Sequence, residues 1–190
     1  MSKIVKVDVD GVIRDMIGGM CQIYQWQFKE HISPESITDY DINKSFPKVK
    51  EQLNCTPWQF FFEEHADGVF RCISKPFDGV KQALDLLHKK GYKVVIVTWQ
   101  FNKQNKEFTL DFFDRHQLYY DDICFTKDKW MVHGDYLIDD NPEFILNESD
   151  HSKKIMVDTP YNRCINDKSL NILRVKSLEE AVDVIVRHKF

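Results

Sequence analysis

Tyr92 to Thr98 (YKVVIVT) is an almost unbroken run of β-branched residues. A strand with one wet face would alternate apolar and polar side chains, so this run reads as a strand covered on both faces. That points to a parallel sheet with helices on either side. Further short strands are predicted at Ile4–Val9, Ile123–Thr126, Tyr136–Ile138, Lys154–Val157 and Asn171–Val175. Helical patterns separate them. Asp78 is a capping candidate for a helix that runs through Lys90, and Lys103–His116 forms another. A short helix is expected near Lys129–Val132, and Asn141-Pro142 starts one more. The last opens on the capping box Ser177-Leu178-Glu179-Glu180, with Leu178, Ala181, Val182, Ile185 and Val186 on one face. Strands alternating with helices predict an α/β fold, a Rossmann-like doubly wound parallel sheet.

One long stretch, roughly Ile13 to Lys75, interrupts that alternation after the first strand. Ile17, Met20, Cys21, Tyr24 and Phe28 recur at helical spacing, Ser33-Pro34 marks a break, and Thr56-Pro57 starts a second helix with a threonine cap and proline at its first position. The expectation is a small helical cap of residues 14–75 on a core domain of residues 1–13 and 76–190. The length of 190 residues suffices for both. Trp26, Phe28, Trp58 and Phe60 to Phe62 read mainly as cap interior, with one or two of them available to stack on a nucleobase.

In an open parallel sheet, ligands bind beyond the carboxyl ends of the strands. Four predicted strand ends carry polar groups: Asp8 and Asp10, Thr98, the Thr126–Lys129 turn, and Asp139 with Asp140. Taken singly, each has an ordinary reading. Asp-x-Asp-Gly occurs in turns, threonine suits strands, Lys129 suits a solvated helix, and acidic residues before Asn141-Pro142 favour a helix start. Taken together they describe one crowded anionic cleft. Two unit charges 4 Å apart repel by about 4 kcal/mol at an effective dielectric of 20. Either some carboxylates hold protons or a cation sits among them. Oxygen ligands without histidine or cysteine favour Mg2+ over zinc. Such a site suits phosphoryl transfer, in which a carboxylate attacks phosphorus, a second one moves the proton, and a lysine and a hydroxyl steady the phosphoryl oxygens.

Composition narrows the partners. The net charge is −4, and basic runs are as short as Lys89-Lys90 and Lys153-Lys154, so duplex nucleic acid is not expected. Five cysteines without CxxC spacing argue against a disulfide framework or structural zinc and suit a reducing compartment. No window approaches a membrane span and no leader pattern opens the sequence, so a cytoplasmic location is expected.

At these four motifs the sequence resembles the haloacid dehalogenase superfamily of phosphohydrolases. DVDGV is similar to its first motif, VVIVT to its second, Lys129 to its third-motif lysine, and Leu137-Ile138-Asp139-Asp140 to its fourth. Within it, FTKDKWMVHGDYLIDDNPE resembles the 5′(3′)-deoxyribonucleotidase family, as do FFFEE and the Pro76–Val80 turn. That spacing selects Lys129 over Lys127. The resemblance implies Asp8 as nucleophile and Asp10 as general acid/base. It implies phosphate binding by Thr98, Lys129 and the backbone of Trp99, where relatives often carry a hydroxyl residue. Magnesium would be held by Asp8, the backbone carbonyl of Asp10, and Asp140, with Asp139 in support. Met16 would line the base pocket, and Tyr40 and Phe46 are candidates to join it. The implied substrate is a nucleoside monophosphate; a homodimer is compatible with this reading. Three alternatives stand beside it: a phosphatase for another small phosphoester, one for a nucleic-acid 3′ phosphate, and a non-catalytic nucleotide-binding module. Asp10 disfavours halide chemistry, since metal-free dehalogenases lack that second aspartate.

Overall fold

The computed structural model describes residues 2–148 and 151–187. Six parallel strands form one sheet: β1 Ile4–Val7, β2 Lys93–Thr98, β3 Asp122–Phe125, β4 Tyr136–Asp139, β5 Lys153–Val157 and β6 Ile172–Val175. Their spatial order is β3-β2-β1-β4-β5-β6. The chain therefore begins mid-sheet, steps outward through β2 and β3, then returns to place β4 on the other side of β1. Val5 pairs with Val94 on one side and Tyr136 on the other. This reversal around β1 opens a crevice at the carboxyl ends of β1, β2 and β4. The fold is the doubly wound sheet that the strand and helix pattern predicted.

The helices are α1 Met16–Phe28, α2 Pro47–Leu53, α3 Pro57–Gln59, α4 Val80–Lys89, α5 Lys103–His116, α6 Pro142–Asn147 and α7 Leu178–Val186. α4 buries Val80, Ala83, Leu84 and Leu87; α7 buries Leu178, Ala181, Val182 and Ile185. Both sets follow the helical period, and the two helices pack together beside the sheet. Val5, Val7, Val94, Ile96, Ile138 and Ile155 supply the strand side of this core. Each such side chain contributes about 1.5–3 kcal/mol by leaving water.

Local differences from the sequence expectations have simple causes. β1 stops at Val7, because the Val9 carbonyl turns to accept from the Ile13 and Arg14 amides, both at 2.8 Å. Asp8 and Asp10 thus lie in a turn. Asp78 does not cap α4: Gly79 takes the N-cap position at φ 78°, a left-handed conformation that glycine adopts freely. Ser177 accepts from the Glu180 amide at 3.2 Å, but the Glu180 carboxylate takes the Lys176 amide at 2.6 Å, so the capping box closes on one side only. The helix expected at Lys129–Val132 is a single 3₁₀ turn, Lys129–Met131.

A second hydrophobic cluster is built from residues between β1 and α4. Met20, Ile23 and Tyr24 of α1 meet Ile37, Phe46, Val49, Phe60, Phe61 and Phe70. α3 begins as expected, with Thr56 capping and Pro57 first. The chain then widens into two π-helical turns, Phe60–Glu64 and Gly68–Cys72, closed by His65 N–H to Phe60 O and Ile73 N–H to Gly68 O, each 2.9 Å. Phe60 and Phe61 are buried, whereas Phe62 reaches the crevice. Residues 1, 149, 150 and 188–190 of the expected core lie outside the described residues. Among those described, no helix is long and apolar enough to cross a membrane.

Candidate active site

The turn after β1 packs against the end of β4. The Asp8 amide donates to the Ile138 carbonyl at 3.0 Å, continuing the strand pairing by one residue. Gly11 follows at φ 82°, where a Cβ would come within 2.2 Å of the Asp140 carboxylate. Only glycine permits this approach of the two motifs.

Asp8, Asp139 and Asp140 offer carboxylate oxygens within 4.8 Å of one another, and all three residues are buried. Lys129 lies between two of them. Its Nζ is 2.9 Å from Asp8 Oδ1 and 2.7 Å from Asp139 Oδ2, and it stands 4.1 Å from the centre of the Phe144 ring. The other Asp139 oxygen accepts from the Asn141 amide at 2.9 Å. Asp8 Oδ1 has the lysine charge but no well-directed hydrogen bond. Three buried carboxylates therefore share one ammonium group.

The protonation equilibria reflect this. Burial pushes Asp8 up to about 7; Asp139 and Asp10 push the same way, and Lys129 opposes them. Burial also raises Asp140 well above the usual carboxylate range, with Asp139 and Asp8 adding to it. For Lys129, burial works against the charge, but Asp139 and Asp8 outweigh it and the net shift is upward. The lysine stays charged, while the carboxylates lack enough positive charge around them.

Thr98 ends β2 and is buried at the floor of a cleft of about 300 Å³, which also exposes Asp8, Asp10, Lys129 and Asp140. Trp99, half exposed, stands at its edge. Met16 at the start of α1 and Tyr40 also line the cleft, together with Ile17, Trp58, Phe62 and Phe101. Burial and the Asp140 charge push the Tyr40 phenol up, although the residue as a whole is 57% exposed. Phe46 is placed differently from the expectation. It is fully buried against Tyr24 and Phe61, with ring centres 5.4 and 4.7 Å away, and does not line the cleft. An aromatic side chain buries more area inside the second hydrophobic cluster than at a wet cleft edge.

Several residues that touch the motifs have no role assigned to them by the sequence. Arg14 and Gln100 hold the Asp10 carboxylate. The loop after β5 brings Tyr161, whose hydroxyl donates to Asp140 Oδ2, and Asn162, whose amide donates to the Asp140 carbonyl at 2.8 Å. Arg174 of β6 in turn fixes Asn162 Oδ1 at 2.6 Å. In the sequence, Thr159-Pro160-Tyr161-Asn162-Arg163 follows a strand and is compatible with either an edge of the site or a subunit contact; in the structure its Tyr161 and Asn162 meet Asp140.

A family model described as "5′ nucleotidase, deoxy (Pyrimidine), cytosolic type C protein" matches residues 2–190. The chain belongs to this family. It is a phosphoric monoester hydrolase of the 5′-nucleotidase type with a haloacid dehalogenase-like fold. A Chlorobaculum tepidum protein named "Putative 5′(3′)-deoxyribonucleotidase" is 28% identical over 154 residues, 75% of this chain and 71% of that one. A "Putative nucleotidase" of Halalkalibacterium halodurans is 27% identical over 184 residues, 92% and 88% of the two chains. Among solved structures, a haloacid dehalogenase-like hydrolase from Streptococcus pneumoniae superposes with a TM-score of 0.62 at 12% identity, covering 97% of this chain and 98% of that chain. An L-2-haloacid dehalogenase from Xanthobacter autotrophicus gives 0.62 at 10% identity, with 97% and 98% coverage. These two share the fold; the site has to supply the chemistry.

Proposed function

We propose that this nucleotidase is a magnesium-dependent 5′(3′)-deoxyribonucleotidase that works through an aspartyl phosphate on Asp8. The observation that carries the reading is the Lys129 ammonium between Asp8 and Asp139, with Asp140 adjacent, beneath a cleft walled by aromatic side chains. The cleft volume falls at the lower end of the range for small-molecule sites.

The donor set fits magnesium. All the clustered ligand atoms are carboxylate oxygens, and burial holds Asp8 and Asp140 toward their protonated forms, the mark of a site short of positive charge. Asp8, Asp140 and the Asp10 backbone carbonyl would hold the ion, with Asp139 supporting the site through Lys129. Bound magnesium would neutralise charge on the phosphoryl oxygens and let Asp8 ionise beside them.

The residues then have distinct tasks. Thr98, Lys129 and the Trp99 amide orient the phosphoryl group. An Asp8 oxygen forms a bond to phosphorus as the bond to the nucleoside oxygen breaks, and that oxygen takes a proton from Asp10. Water next attacks phosphorus and gives its proton to Asp10, the Asp8–phosphorus bond breaks, and inorganic phosphate leaves. Residues 14–75, as a cap over a core of residues 1–13 and 76–190, would hold the nucleoside among Met16, Tyr40, Trp58 and Phe62 and keep bulk water out. A cytoplasmic setting is supported by five cysteines, none of them in a disulfide.

The test is a panel of 5′- and 3′-monophosphates of ribo- and deoxyribonucleosides together with sugar phosphates, assayed with and without magnesium. The expected result is metal-dependent phosphate release from deoxynucleotides and none from Asp8→Asn. Undiminished release by Asp8→Asn would remove the nucleophile assignment, and activity confined to sugar phosphates would remove the nucleotide.

A further inference from the structure

Asp10 is held by a set of donors that the four motifs do not include. Arg14 is wholly buried, and its guanidinium grips the Asp10 carboxylate with two bonds, Nε to Oδ1 at 2.7 Å and one terminal nitrogen to Oδ2 at 3.0 Å. Gln100, two residues beyond Thr98, donates its side-chain amide to Oδ2 at 2.9 Å. Arg14 is itself fixed. Its other terminal nitrogen donates to the Phe70 carbonyl at 2.5 Å and to the Thr109 hydroxyl at 3.3 Å, and the Phe70 and Phe112 rings lie 5.0 and 5.1 Å from the guanidinium carbon. The loop after β1 and the segment after β2 thus meet at one carboxyl group, and helix α5 and the last π-helical turn hold the arginine that grips it.

Charge balance alone does not account for this arrangement. Asp10 opens onto the cleft, with 16% of its side chain accessible, so water reaches it. Gln100 carries no charge; it contributes direction. The consequence lies in the count of acceptor positions. A carboxylate offers about four lone-pair directions, two on each oxygen. Arg14 and Gln100 together fill both on Oδ2 and one on Oδ1. A single direction, on Oδ1, is left for a proton.

We propose that Arg14 and Gln100 are positioning residues that confine the Asp10 proton to Oδ1 and so aim it at the departing nucleoside oxygen. The inference rests on the reading of Asp10 as proton donor. The donors act on orientation: a bidentate guanidinium fixes the carboxyl plane, and the amide closes the lone pair on which a misdirected proton would ride.

The experiment compares two substrates by kcat/KM, which reports only the steps up to departure of the leaving group. A deoxynucleoside 5′-monophosphate expels an alkoxide and needs the proton. The p-nitrophenyl ester expels a stabilised phenolate and does not. Asp10→Asn should lower kcat/KM for the nucleotide by about 10²–10⁴-fold and spare the nitrophenyl ester by comparison. Gln100→Leu should show the same split at about tenfold, the weight of one hydrogen bond to a charged group. Arg14→Lys should show a larger split, since one ammonium cannot reproduce two parallel bonds. Thermal melting of each variant confirms that it folds, and Gln100→Leu, which removes one uncharged hydrogen bond from the cleft lining, carries the test if Arg14→Lys does not. Equal losses on both substrates, or none, with Asp10→Asn still splitting them, would overturn the positioning role and leave the acid intact. No split in Asp10→Asn would overturn both.

Discussion

The floor and the wall of the cleft are built on different terms. On the floor the carboxylates are held by polar partners: Lys129 joins Asp8 and Asp139, Tyr161 and Asn162 hold Asp140, and Arg14 and Gln100 hold Asp10. On the wall, aromatic rings meet one another. Trp58 lies 4.8 Å from Phe101 and 5.9 Å from Phe62, centre to centre, and such contacts tolerate many arrangements. The floor is specified by charge and direction, the wall by area. Chemistry should therefore be lost through single atoms on the floor, and substrate preference through whole side chains on the wall.

The largest effect belongs to the floor. Asp8→Asn keeps shape and hydrogen-bonding reach but removes the nucleophilic oxygen, so single-turnover phosphate release should fall by about 10⁴-fold or more on nucleotides and on the nitrophenyl ester alike. A loss confined to nucleotides would place Asp8 in recognition and erase the contrast between floor and wall. Next comes a change behind the wall. Phe46→Ala empties a fully buried site among Tyr24 and Phe61 and should destabilise the second hydrophobic cluster by about 3–5 kcal/mol. Hydrogen exchange should rise across residues 16–72 while the sheet strands stay protected. A uniform rise through β1, β2 and β4 would show that this cluster and the sheet unfold as one unit.

That division also explains what could be read in the sequence. The β-branched runs and intervening helices determine a doubly wound sheet, and such a sheet brings its strand ends together whatever lies between them. Asp8, Thr98, Lys129 and the Asp139-Asp140 pair could be brought to one crevice on that basis. Arg14 could not, because its bond to Asp10 spans four residues of an irregular turn, where helical spacing rules say nothing. Tyr40 and Phe46 show the limit in the segment between β1 and α4. They are six residues apart and similar in type, yet one lines the cleft and the other is buried against Tyr24 and Phe61. A 3₁₀ turn at Ile42–Lys44 lies between them, and two π-helical turns follow, so no single period tells inward from outward positions.

A smaller effect tests the wall directly. Trp58→Ala removes a ring whose face could take a nucleobase, a contact of about 1–3 kcal/mol. KM for nucleotides should rise by about 5- to 150-fold. The nitrophenyl ester, which has no base, should keep its kcat within about twofold. If both substrates lost kcat together, Trp58 would be supporting the floor, and the division would run elsewhere in the cleft.

The smallest expected effect concerns the floor without its metal. Burial raises Asp8 from 3.8 to about 7, so the folded, metal-free protein binds a proton that the unfolded chain releases earlier. The sign follows from linkage: the contribution of this group to stability is complete below pH 4 and is lost as pH rises through 7. In EDTA, the melting temperature of the parent protein relative to Asp8→Asn should therefore drop between pH 5 and pH 8. Relaxation around the buried charges leaves only part of the full shift, so a change of about 2–4 °C is expected. Saturating magnesium should flatten the profile, because a cation replaces the proton as the partner of Asp8. A difference between the two proteins that stays constant with pH would mean that the Lys129 ammonium already balances Asp8, and the case for a cation on the floor would lose its electrostatic support.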